Sequence, residues 1–486
     1  MKNQFIYAFV SLFALGAVIS SCSSNDDHSG LGSLAVGFQS KSVDLSGADQ
    51  QKEIEIAFSE STLQAGTLEL SYTTENVLYG EEEDFTTDPS GEEGTLKVPY
   101  QEGSQSTSFT LNKLKDALPG EEKSVTFTII GVEGGDITPQ GNTSVKVSFS
   151  ESASLGSSIK PEVGGHNEPN QVYVSLKSEN QTVVKRDAWD LGFYAGEEFR
   201  VTLNSSLKMF AGAIEATDID AVKEEDFADL MPKMALLTSG SDQFVDDPAG
   251  DLSKTAIAAV SDQEAENKVY LINLGNKIGT EKPEVGSVAV DQSDPDEPEK
   301  GKRGWKKVRI LKEGNDYILQ YADLNDTNHK EVTIAKDQAY NFTFFSFEEE
   351  NTVEVEPTKN DWDLNFTTYT NTLDLPGDYG GGKTAYGYSD YIAINNLAGV
   401  QVYEVSTDDF NYANFSRADV KESELSSDRT HIGDGWRNVF EQSASDDRFY
   451  VLKDAEGNFY KIEFTALVNE DGERGHPAFD YELLTE

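Results

Sequence analysis

The chain has a single cysteine in 486 residues, Cys22. One chain therefore has no pair with which to form a disulfide, and its body holds no thiol nucleophile. Basic residues are scarce as well: 39 Lys and Arg stand against 87 Asp and Glu, a formal net charge of −48. Phosphate backbones are bound by basic footprints that release counterions, so this balance argues against nucleic acid as a partner. The plain consequence of the acidity is a solvated, self-repelling surface. Histidines are few and scattered, at His28, His166, His329, His431 and His476. A G-x-S-x-G nucleophile elbow, a P-loop and an H-E-x-x-H zinc helix are all missing. Carboxylates are too abundant to single out a glycosidase pair without geometry. The expectation is a protein that binds and does not catalyse.

Long apolar runs are confined to the N-terminus. "MKNQFIYAFVSLFALGAVISSC" has a basic Lys2 start, an apolar stretch from Phe5 to Val18 and small residues before a cysteine. That layout is a secretory signal, too short for a comfortable membrane span. "ISSC" resembles a bacterial lipobox, which implies a signal peptide over 1–21 and a lipidated Cys22 as first residue of the mature protein. The plainer alternative is an ordinary secretory signal with an incidental cysteine. Residues 22–33, polar and acidic, read as a tether, so the membrane is a partner only through the N-terminal anchor.

Beyond residue 33 the chain is rich in β-patterning and turn residues. At 486 residues the length suits about three domains at roughly 150 residues each. Over 34–151, "GTLELSYTT", "TLKVPY", "STSFTL" and "KSVTFTII" alternate apolar and polar residues between Gly, Asp, Ser and Pro turns, the pattern of a β-sandwich. With "DFTT" and an acidic turn, this region resembles a Calx-β-type immunoglobulin-like domain. The resemblance implies a calcium site, for which Glu81, Glu82, Glu83 and Asp84 are the available oxygens, although they lack the spacing of a defined loop. A Ser-, Gly- and Pro-rich linker covers 152–170. A helical patch is expected around "DAVKEEDFADLMPKMALL", interrupted at Pro232.

The rest of the chain is written twice. "DAWDLGF" (187–193) returns 173 residues later as "NDWDLNF" (360–366), each after an alternating run. "LKEGNDYILQYADLN" and "LKDAEGNFYKIEFTALVN" are matching hairpins turned at E-G-N. Repetition at this distance indicates two β units in tandem, 171–340 and 341–486. The fold class is all-β: an immunoglobulin-like sandwich and then two related β domains.

The order of these motifs resembles the HmuY-like haem-binding surface lipoproteins of the Bacteroidetes. The resemblance implies an all-β grip that buries haem or a related porphyrin and supplies axial ligands to its iron. It also implies display at the outer membrane, on the cell surface, and delivery to a TonB-dependent receptor. Family members place a histidine directly after the W-D-x-x-[apolar] stretch; here Tyr194 and Thr367 stand there. Tyrosinate can hold ferric haem, which makes Tyr194 a candidate ligand. Other members use methionine pairs, which adds Met209, Met231 and Met234. Each has a structural reading beside it: Tyr194 as a strand-end aromatic, the methionines as core filling, His431 as a loop histidine. Trp189 and Trp362 read as rings that pin strands, and Asp190 and Asp363 as turn or backbone partners. "KGKRGWKKVRILK" gathers seven basic residues around Trp305, either to take anionic groups or to neutralise "DPDEPE" at a solvated strand edge. The rival reading keeps the fold but binds glycan or protein at the surface; a third is a carbohydrate-active enzyme.

Overall fold

The computed structural model describes residues 34–45, 51–81, 83–115, 117, 123–149, 154–292 and 296–485. Cys22, the signal segment and the tether lie outside them. Among the described residues every helical element is a 3-10 turn of three or four residues, and none is long and apolar enough to cross a membrane. The expected helical patch is two such turns, Glu224–Phe227 and Met231–Lys233. Pro232 lacks the N–H that a continuing helix needs. Burying Phe227 and Met234 against Phe210 and Phe244 then fixes the segment as an irregular cover.

The N-terminal region is a sandwich of two five-stranded sheets. One orders Phe85–Asp88, Ser106–Lys113, Gln51–Phe58, Leu34–Phe38 and Ile137–Pro139. The other orders Ser42–Leu45, Ser144–Phe149, Lys123–Glu133, Gly66–Glu75 and Thr95–Tyr100. The first stretch of chain switches sheets, pairing in parallel with Ile137–Pro139 and then with Ser144–Phe149. Burial comes from alternation: Ile54, Ile56 and Phe58 of one strand and Leu68 and Leu70 of another point into one core with Phe109 and Phe127.

Among the described residues, 158–483 build four sheets of four or five strands and one two-stranded ribbon, Arg437–Asn438 with Ser443–Ala444, and the two sequence copies share the larger sheets. Two sheets are five-stranded meanders. Phe210–Ile214, Val269–Asn273, Trp305–Glu313, Asp316–Ala322 and Lys330–Ile334 form one; Gln401–Ser406, Arg448–Lys453, Phe459–Val468, Arg474–Leu483 and Ser158–Ile159 form the other. The E-G-N turns close equivalent hairpins in both, with Gly314 and Gly457 at positive φ. The two remaining four-stranded sheets are crossed. The first hairpin of copy one, Asn170–Val174 with Gln181–Lys185, pairs with the W-D strand of copy two, Val172 opposite Phe366 and Val174 opposite Leu364. Reciprocally, Phe342–Ser346 of copy two pairs with Leu191–Tyr194 of copy one, Phe345 opposite Leu191.

Connection length explains the exchange in copy one. If Leu191–Tyr194 lay beside Asn170–Val174, it would run parallel to Gln181–Lys185, and a parallel connection needs about a dozen residues. Only Arg186–Asp190 intervene. This short turn is also pinned: the fully buried Arg186 donates to the carbonyls of Glu168, Ser206, Asn167 and Val290. The sequence boundary at 340/341 thus falls between strands that serve both cores. Val172, Val174 and Leu176 pack with Leu364, Ile394 and Tyr481, whereas Phe345 and Phe347 pack with Leu191, Phe193 and Tyr321.

Candidate functional site

The two W-D motifs are latches at the crossing. Asp190 N–H donates to Phe345 O at 2.8 Å, and its Oδ2 accepts from Phe347 N–H at 2.7 Å. Asp363 repeats the pattern in the other direction, with Val174 O at 2.8 Å and Leu176 N–H at 2.8 Å. Each tryptophan meets a ring of the other copy edge-on: Trp189 against Phe344 at 4.7 Å, Trp362 against Tyr173 at 5.0 Å. Two asparagines complete the latches. Asn204 Nδ2 donates to the carbonyls of Arg186 and Trp189, and Asn395 Nδ2 to those of Lys359 and Trp362. Sequence reasoning missed them, although "LNSSL" and "INNLA" carry the signal of an apolar residue, Asn and a turn.

The latches differ in charge. Asp190 Oδ1 pairs with Arg303 at 2.6 Å. Asp363 has no ion pair within 4 Å among the described residues, and burial, then the neighbouring Asp454, push its carboxyl up to about 8. A carboxyl raised from 3.8 to about 8 in the folded state contributes stability that is full below the lower value and lost as pH rises through the upper one. Asp363→Asn keeps an acceptor for Leu176 N–H and removes the titration. We expect it to melt alongside the parent near pH 3.5 and increasingly above it as pH rises towards 8, read by thermal scans across that window.

The basic cluster is divided among separate partners, with Lys300 on the surface 3.9 Å from Glu297 of the acidic stretch and the rest drawn to groups further off in sequence. Arg303 serves Asp190, Lys306 pairs with Asp323, and Arg309 with Glu264. The buried Lys307 donates to Val222 O and Asp326 O at 2.6 and 2.7 Å. Trp305–Glu313 is the middle strand of its sheet and not a solvated edge; its charges face the loops folded over it. In the sandwich, Asp84 Oδ2 accepts from Leu78 N–H and its Oδ1 meets Lys123 at 3.1 Å, while Glu83 lies 3.8 Å from Lys115. No group of three or more His, Cys, Asp or Glu side chains is placed to hold a metal ion among the described residues.

Two cavities flank the crossing. A groove of about 610 Å³ runs between the first hairpins of the two copies, with Val184 on one side and Tyr340, Phe342, Phe344, Val353 and Val355 on the other. Beneath it, a cleft of about 80 Å³ is lined by both latch tryptophans, Tyr173, Met209, Thr367 and Tyr369. Phe342, Phe344 and Glu356 border both. Glu356 fixes this shared wall, its Oε1 accepting from Asn341 and Phe342 N–H at 2.8 Å each, and burial pushes its carboxyl up to about 7.

The candidate ligands named from the sequence do not converge. Tyr194 is half-buried with its ring 5.8 Å from that of Phe342, so it stands beside the groove. Met209 is buried with Leu191 and Leu207 and reaches the small cleft. Met234 is fully buried against Phe227 and Phe244, and Met231 lines a separate depression with Lys223 and Glu224. Thr367 faces the cleft, its Oγ1 donating to Thr368 O. His431 sits in the loop after Arg429, its N–H donating to Asp428 O. Tyr340, a phenol inside the groove, was not singled out from the sequence because it precedes the motif-bearing strand.

Among solved structures, the chain is similar to an apo-form Calx CBD1 domain (11% identity, 24% of this chain and 96% of the other, TM-score 0.20). It is similar also to the CBD12 region of CALX1.2 (8% identity, 31% and 75%, TM-score 0.21). A two-domain protein of unknown function from Bacteroides fragilis covers more of it (10% identity, 64% and 90%, TM-score 0.20). No curated protein matches. The HmuY protein family matches twice, over residues 167–330 and 338–481, together more than half of the chain. The chain therefore belongs to the HmuY family, whose domain it carries in two tandem copies preceded by an immunoglobulin-like region.

Proposed function

We propose that this is a surface lipoprotein, tethered through Cys22, that binds haem or a related porphyrin without transforming it. It then presents the ligand to an outer-membrane receptor of the TonB-dependent type. Family membership supports the ligand class. The observation that carries the reading is the groove of about 610 Å³ built jointly by both copies. That volume lies within the range of about 300–1,000 Å³ that small-molecule sites occupy; Val184, Phe342, Phe344, Val353 and Val355 give it apolar wall beside threonines and the carboxylates Asp337, Glu354 and Glu356. Tyr340 inside the groove and Tyr194 at its side are the phenols within reach, and tyrosinate ligation is established chemistry for ferric haem.

Titration with haemin tests this. The expected result is a Soret shift that saturates near one equivalent and is altered by Tyr340→Phe or Tyr194→Phe, with Met209→Leu leaving the spectrum as it was. A flat difference spectrum would overturn haem binding. Identical spectra in both tyrosine variants would overturn phenolate ligation while leaving the groove in place.

A further inference from the structure

The small cleft has the wrong chemistry for a porphyrin, and its chemistry is specific. Thirteen buried side-chain N or O atoms lack a hydrogen-bond partner among the described residues. Five belong to residues lining this one cavity: Gln171 Nε2, Trp189 Nε1, Trp362 Nε1, Asn365 Oδ1 and Arg429 Nε. Gln171 and Trp362 are each only 2% exposed. Buried polar groups in native proteins are almost always paired with protein, water or ligand, so such a concentration needs an occupant.

The lining narrows what that occupant is. Four of the five orphans are N–H donors, which selects against a cation. One arginine, Arg429, faces Asp246, Asp247, Asp251 and Glu356, which selects against an anion. The orphans include both donors and an acceptor, so the complement must accept and donate in turn, as hydroxyl groups do. Tyr173, Tyr369 and the two indoles add apolar faces beside those groups. At about 80 Å³ there is room for roughly six non-hydrogen atoms, counting 10–15 Å³ for each water-sized probe.

We infer that this cleft is a second ligand site, distinct from the groove, which takes the hydroxyl-bearing edge of a neutral sugar ring. The remainder of the sugar lies outside, over Gly250 and Asp251. Both family copies are needed, since Trp189 and Met209 come from one and Trp362, Tyr369 and Arg429 from the other.

The mature chain, titrated with the methyl glycosides of glucose, galactose, mannose and N-acetylglucosamine, is to be read by ligand-observed saturation-transfer NMR. Expected is transfer concentrated on one edge of at least one of these rings. Binding should weaken by at least about tenfold in Arg429→Gln or in Gln171→Leu, either loss supporting the site. An unchanged melting temperature and an unchanged haemin titration serve as controls for folding and keep this outcome separate from that of the groove. No transfer from any of the four glycosides would overturn the proposal and leave a water-filled cleft. Transfer undiminished in both variants would overturn it as well.

Discussion

Asp190→Ala is expected to destabilise the protein by about 3–5 kcal/mol, the usual cost of removing one partner from a buried ion pair. Asp190 has no exposed surface, and its two oxygens do separate jobs. Oδ1 takes Arg303 at 2.6 Å; Oδ2 takes Phe347 N–H at 2.7 Å. Among the described residues, the alanine leaves the guanidinium with only Leu274 O at 3.2 Å for company, and a buried backbone donor with none. Both are penalties of desolvation without compensation, and they fall on the strand pairing that crosses from one copy to the other. In a body of this size the loss corresponds to a fall in Tm of roughly 4–7 °C. Asp190→Ala combined with Arg303→Leu removes the orphaned charge and should recover part of it. Urea unfolding of the three variants measures this; a loss below about 1 kcal/mol for Asp190→Ala would mean that the latch bears little of the fold. Asp363 in the twin latch makes the contrast: it has no arginine, and neutralising it is expected to help at alkaline pH.

Where strands would form was legible because alternation is a local signal. "GTLELSYTT" buries Leu68 and Leu70, and "KSVTFTII" buries Val125, Phe127 and Ile129, at alternate positions whichever neighbour they pair with. The duplication was legible too, since W-D and E-G-N recur with the strands around them. The exchange was not. Val172 and Val174 present the same apolar pair to Leu364 and Phe366 as they would to Leu191 and Phe193, so side-chain pattern cannot choose between them. The five-residue link Arg186–Asp190 does choose, and it could have been counted from the sequence.

The site was less legible than the fold. The cleft draws Gln171, Asp246, Glu356 and Arg429 from separate segments, and none of these stands in a motif; Asn365 lies within one, the second W-D stretch. They become a site only when strands from both copies close around them. Basic residues clustered in sequence misled in the opposite way. "KGKRGWKKVRILK" looks like a patch, yet alternation and loop packing send Arg303, Lys307 and Arg309 to separate internal partners. Methionine was an uncertain guide for the same reason: Met209 and Met234 sit where a core needs a flexible filler.

If the crossing is what makes both the fold and the ligand sites, the copies cannot work apart. Residues 154–340 expressed alone would hold the hairpin Asn170–Lys185 without the W-D strand it pairs with, and the strand Leu191–Tyr194 without Phe342–Ser346. The apolar faces left open include Val172, Val174, Leu191 and Phe193, all fully buried in the intact chain. At about 1.5–3 kcal/mol for each such side chain, the loss rivals the whole stability of a typical domain. Residues 341–485 would be stripped in the same way.

The most direct measurement is therefore to produce the two halves separately, follow each by thermal unfolding and light scattering with and without the other, and titrate both preparations with haemin. Neither half alone should give a monomer that unfolds cooperatively or binds haemin, and mixing should yield a 1:1 complex that does both. A monomeric half that unfolds cooperatively and shifts the Soret band unaided would contradict the interlocked architecture and the shared groove together.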